Sequence, residues 1–203
     1  MTESTGELGA GFSVEVAKAW EQALFADDLP STRRVALRST IVLGHGGVLD
    51  PVKNLARLGL GGAQYDRRWP VGKARRAAGT GHFPGARRGR QRFSWVHVED
   101  VARIIDFLEV TPELEGPVNA AAPNPVDNAA FMATVRRVLG ARIGLPMPRW
   151  MLELGAIGMR TETELILKSR WVLPEKLTAA GFEFRYPTLE AAVRESFDRE
   201  IAA

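Results

Sequence analysis

Short apolar runs that alternate with amphipathic helices constrain this chain more than any other feature. The run RRVALRSTIVLG, residues 33–44, is rich in β-branched residues and closed by a glycine, which predicts a strand over Val35–Leu43 with a loop at its end. Before it, FSVEVAKAWEQALFA, residues 12–26, places Phe12, Val16, Ala19 or Trp20, Ala23 and Leu24 at helical spacing. Asp27 to Ser31, with Pro30 inside, ends that helix. Helix, short turn and strand make half of an alternating α/β unit.

The alternation continues. Asp50 can cap a helix over DPVKNLARLGLG, and Pro51 suits its first turn. FSWVHV, residues 93–98, reads as a second strand. Glu99 and Asp100 then start VARIIDFLEV, whose Val101, Ile104, Ile105 and Leu108 share a face. A third strand is expected near 117–121. Asp127 or Asn128 can cap AAFMATVRRVLG, which stops at Gly140. After a proline-marked linker come two helices from Trp150 to Arg170, a proline-started helix at 174–181, a short strand FEFRY and a terminal helix from Thr188. The expected class is α/β, a partial Rossmann-like parallel sheet over residues 1–141 followed by a small, mostly helical domain over 142–203.

Charge is unevenly spread. Residues 66–92 hold nine Arg or Lys against Asp66 alone, while the rest carries 18 basic and 23 acidic groups. This stretch belongs to a Gly, Pro and Arg-rich insertion, residues 63–92, with no usable period. A loop of that length is unusual in a compact domain unless it is functional or mobile. A basic excess attracts phosphates or nucleic acid, or is simply a solvated loop. Tyr65, Trp69 and Phe83 are its only stacking platforms and no recognised binding motif surrounds them, so weak nucleic-acid binding ranks last among the functions. The chain has no cysteine, which excludes disulfides and thiolate sites. His45 and His82 have no ligand spacing, so no metal site is expected. The start MTESTGELGAGF lacks signal-peptide character and no run has the length of a membrane span, which points to the cytoplasm.

Two stretches carry a resemblance. FSWVHVEDVARIIDFLE followed by GPVNAAAPNPVDNAAFMATVRRVLG resembles the later half of the extended short-chain dehydrogenase/reductases. RWVLPEKLTAAGFEFRYPTLEAAV resembles the C-terminal domain of a sugar-nucleotide-epimerase-like family within that class, the epimerase family of the 39U type. The resemblance implies NAD(P) as the cofactor of a complete member and a nucleotide-linked substrate. In that class a glycine-rich turn after the first strand holds the cofactor pyrophosphate. Gly6, Gly9 and Gly11 follow no strand, and Gly44-His45-Gly46-Gly47 has the wrong spacing and no acidic ribose ligand about 20 residues on. The class also uses a Tyr with a Lys four positions later. The equivalent helix near Phe12 has Val16 and Ala17 there, with Lys18 on another face.

The expectation is therefore a substrate-side portion of an NAD(P)-dependent epimerase or oxidoreductase. Its N-terminal cofactor half is expected to be absent and supplied upstream, with no catalytic residue, no cofactor for this chain alone, and no activity by itself. A non-catalytic binding or interaction module on the same fold is the alternative. By resemblance, Arg38, Thr40 and Val42 line the cleft at the end of their strand; Arg38 paired to a carboxylate beneath the sheet is the structural reading. Arg90 and Arg92 suit phosphates, and Asn124 lies near the rim. His97 beside Glu99 and Asp100 is read as strand and cap chemistry, with Asp100 as the cap. Trp150, Met151, Leu154, Trp171 and Phe182 are read as packing between the small domain and the body.

Overall fold

The computed structural model describes residues 1–6, 9, 12–65, 73, 77, 90–151 and 171–202. Most of the basic stretch, Leu154 and the helices expected over 152–170 lie outside the described residues.

The chain begins with α1 (Phe12–Phe25) and enters β1 (Val35–Ser39) and β2 (Ile41–Leu43). The single strand expected over 35–43 is broken at Thr40, and the break has a physical cause. β1 pairs in parallel with β5 (Gly116–Ala120), from Val35 beside Gly116 to Ser39 beside Ala120. β2 instead pairs in parallel with β4 (Trp95–His97), from Ile41 beside Trp95 to Leu43 beside His97. Thr40 N–H still donates to Ala120 O at 3.1 Å, while Ile41 N–H donates to Ser94 O at 3.3 Å. One strand thus exchanges neighbours within two residues. β3 (Arg92–Phe93) and β6 (Val126–Asp127) form a short antiparallel pair beside this.

Among the described residues the remaining helices are α2 (Leu49–Arg57), α3 (Val98–Val110), α4 (Asn128–Leu139), α5 (Glu175–Ala179) and α6 (Leu189–Ala202). They cover both faces of the strands, because successive residues of a strand point to opposite sides. Trp95 enters a core with Leu43, Leu49, Phe131, Met132 and Val193, where Phe93 stacks on Phe131 at 4.3 Å. Its neighbour Val96 enters a second core with Ile104, Leu108, Val118, Leu177 and Phe182. The protein is an α/β fold with parallel strands and a helical C-terminal region. Among the described residues after 142, those of α6 fill the first core and Leu177 enters the second.

Local signals placed several ends correctly. Asp127 accepts from Ala130 N–H at 2.7 Å, and Gly140 closes α4 with φ 67° in the left-handed region. Other expectations change. α2 is capped by Val48 without a side-chain bond, and Asp50 lies in its first turn, 3.6 Å from Lys53. FEFRY forms no strand; its amides at Arg185 and Tyr186 are taken by the Asp100 carboxylate at 2.8 and 3.0 Å. Asp100 is therefore buried tethering chemistry, and His97 is the cap of α3, with Nδ1 accepting from Glu99 N–H at 3.3 Å. Of the stripe expected to bury α1, Val16 is half-buried but Ala19, Trp20, Ala23 and Leu24 are exposed, Trp20 at 73%, while Glu21 is half-buried against Arg38. Phe182 is buried and Met151 packs with Met147, but Trp150 is exposed and Trp171 sits against Arg92 instead of in a core.

Candidate functional site

In open parallel sheets, ligands bind outside the carboxyl ends of strands where neighbouring strands diverge. The exchange of partners at Thr40 creates such a place. β5 ends there, and Ala122 N–H reaches across to Trp95 O at 2.7 Å, so β4 begins where β5 stops.

Side chains from distant segments close over this junction. Glu3 accepts from Asn119 N–H through Oε1 at 2.8 Å and from Glu175 N–H through Oε2 at 3.1 Å. The Asn119 amide donates to Leu173 O at 3.1 Å, and Val172 N–H donates to Ser94 Oγ at 2.8 Å. Residues 171–175 are thereby laid across the end of β5 and the approach to β4. Ser4 holds the same segment, donating its amide and its hydroxyl to Glu175 at 3.1 and 2.6 Å, and these bonds hold the Glu175 carboxyl below its ordinary range. Arg92 lies over the Trp171 ring at 5.0 Å, an arrangement that attracts the cation to the ring face.

The expected site residues divide. Thr40 lies at the junction, its hydroxyl donating to Ala120 O at 3.1 Å. Arg38 pairs with Asn119 in register one step below, and Glu3 is near enough to help keep its guanidinium charged. Its fork is nevertheless taken up by Glu21, Nε to Oε1 at 2.7 Å and Nη2 to Oε2 at 2.6 Å. The bonds to Arg38 push the Glu21 carboxyl down, and the same bonds push Arg38 up. Val42 is an exposed residue of β2, and Arg90 is exposed just before β3. Asn124 is turned away: its side chain donates to Pro187 O at 3.0 Å and its carbonyl accepts from Trp95 Nε1 at 3.2 Å.

Sequence reasoning missed Glu3, Ser94 and Asn119. Asn119 left a signal, a polar residue in the apolar run PVNAAA, buried in the structure. Glu3 left none, because its partners lie more than a hundred residues away.

The turn Gly44–Gly47 follows β2 and leads into α2, with positive φ at Gly46 and Gly47. It is a poor anion cradle, because Asp50 brings a carboxylate into the first turn of the helix. Among the described residues no group of three His, Cys, Asp or Glu is placed to hold a metal, and no helix is long and apolar enough to cross a membrane.

Comparison with known proteins places these features in context. Residues 147–196 match a protein-family model described as "Domain of unknown function (DUF1731)". The chain is 33% identical to the epimerase family protein SDR39U1 of Homo sapiens, over 91% of this chain and 54% of that protein. It is 32% identical to the epimerase family protein YfhF of Bacillus subtilis (strain 168), over 96% of this chain and 56% of that protein. The crystal structure of human SDR39U1 (isoform2) with NADPH has TM-score 0.76 and 28% identity, covering 98% of this chain and 59% of that one. The chain spans about half the length of the curated relatives it matches.

These likenesses run against four linked expectations, an absent cofactor-binding half, a substrate-side portion inactive alone, a chain that takes no cofactor by itself and a half supplied from upstream, since they take in nearly all of this chain, and 59% of the human structure. The match to a structure solved with NADPH runs through 98% of this chain. That span includes the parallel strands and both cores.

Proposed function

We propose that this chain, similar along nearly its whole length to epimerase family proteins, works as an NADP(H)-linked epimerase-like oxidoreductase on a small nucleotide-linked substrate. The observation that carries the reading is the junction at Thr40, where carboxyl ends of parallel strands meet beneath a strap tied down by Glu3 and Asn119. The human relative solved with NADPH supplies the cofactor class. The cofactor is assigned to the strand ends, where Rossmann-like folds hold dinucleotides. The residues do not fit it at Gly44–Gly47, where Asp50 opposes a pyrophosphate.

Arg92, supported by Trp171, is assigned to the substrate's phosphates, with Arg90 beside it on the approach to β3. Thr40 and Val42 line the floor, and Arg38 acts from beneath by holding α1 in place through Glu21. Asn124 helps to fix the rim through Pro187. We assign residues 1–141 to the body, 142–203 to the cover of the site, and the protein to the cytoplasm.

The test is a fluorescence titration of the chain with NADPH. Saturable binding with Kd below about 1 mM is expected; no saturation would remove the cofactor assignment. A binding module without catalysis is the second reading, favoured by one observation. The chain has two tyrosines, Tyr65 and Tyr186, and neither is followed four residues later by lysine. NADPH binding without turnover of any nucleoside-diphosphate sugar would favour this second reading.

A further inference from the structure

We propose a second binding site at the opposite end of the parallel strands, for a small phosphate-bearing molecule with an apolar, ring-like body. β1 and β5 start together there, at Val35 and Gly116. Between these starts and the end of α1 lies an open hollow of about 860 Å³. Phe25 and Leu29 give it an apolar wall, while Arg33, Arg34 and Lys176 bring three cations against the single carboxylate of Glu115.

No carboxylate among the described residues pairs with any of the three; each is fixed from behind by backbone. Arg33 donates to Leu114 O at 2.9 Å and Thr111 O at 3.5 Å. Arg34 donates to Leu24 O at 2.9 Å and lies 5.7 Å from the centre of the Phe25 ring. Lys176 donates to Glu115 O at 2.7 Å. Leu24 and Thr111 stand at the ends of α1 and α3, where carbonyls carry the negative end of the helix dipole. The positive charges are thus stabilised in place with no anion bound.

These bonds engage one terminal nitrogen of each side chain. A guanidinium has five N–H donors and an ammonium three, so most donors remain for a ligand. Rigid guanidinium forks match phosphate oxygens two at a time. Because the groups are already oriented, binding loses little side-chain entropy. The Phe25 and Leu29 wall selects a ligand with an apolar body over a bare ion. This site lies apart from the junction at Thr40, and its test is independent of the cofactor.

The experiment is an NMR titration of the full chain with phenyl phosphate, inorganic phosphate and phenol at fixed ionic strength. Phenyl phosphate should give saturable shifts confined to the amides around 29–34, 115–116 and 176, with Kd of about 1 mM. Inorganic phosphate should bind several-fold more weakly and phenol not measurably. The double variant Arg33→Gln, Lys176→Gln should lose at least about tenfold in affinity, and Lys176→Gln alone should show part of that loss if the double variant does not fold. Shifts elsewhere, no saturation, or unchanged affinity in a folded variant would overturn the site. Equal affinity for inorganic phosphate would overturn the apolar half of the assignment.

Discussion

Arg38 on β1 and Glu21 on α1 meet edge to edge, with two parallel bonds of 2.7 and 2.6 Å, both side chains about three-quarters covered. This pair ties α1 to β1 by side chains. Glu21→Gln leaves the Arg38 charge half-buried without its anion. That should cost about 1–2 kcal/mol near neutral pH, between the values for exposed and buried pairs. Bonding to Arg38 lowers the Glu21 carboxyl from its ordinary range. Its contribution is therefore complete above the ordinary glutamate range and is lost as pH falls through the lowered value. Urea denaturation across that range should show the gap between wild type and variant closing in acid. A gap that persisted there would refute the assignment.

Asp100 is fully buried and accepts from the Arg185 and Tyr186 amides and from Arg103. In Asp100→Asn one carboxylate oxygen becomes an NH2 facing a backbone N–H. A loss of about 2–3 kcal/mol is expected, since a buried donor is left unmatched and the charge assistance disappears. Hydrogen exchange should report faster exchange at Arg185 and Tyr186 first. Equal protection in both proteins would mean that the tether contributes nothing.

Gly62 is set by space. Its N–H donates to Leu145 O at 3.0 Å, and a Cβ there would stand 2.5 Å from the Leu145 carbonyl and Pro146 N. Gly62→Ala forces the 59–65 and 145–147 segments apart and should cost about 1–3 kcal/mol, the usual range for overpacking. A melting temperature within experimental error of wild type would contradict this.

Arg92 tests the substrate assignment. Arg92→Ala should weaken binding of a nucleoside diphosphate about tenfold or more, as expected for losing a charge-assisted contact. Arg92→Lys should recover only part, because an ammonium lacks the planar fork. Calorimetry with uridine diphosphate measures both. Unchanged affinity in Arg92→Ala would move the phosphate site elsewhere.

What the sequence by itself determined is local. The Asp127 cap, the Gly140 stop, the burial of Ile104 and Leu108 (though not of Ile105, 55% exposed), and the existence of strands within 35–43, 93–98 and near 117–121 follow from contacts within a few residues. Such contacts are written in spacing and residue type. The tertiary structure decided everything that depended on a remote partner. Thr40 interrupts its strand because β5 ends and β4 begins beside it. FEFRY is no strand because Asp100, some 85 residues earlier, takes its amides. Glu3 closes the junction only because folding brings Asn119 and Glu175 to its carboxylate. A buried polar group must find a partner, but its sequence does not say which one; only the packing of the whole chain selects it.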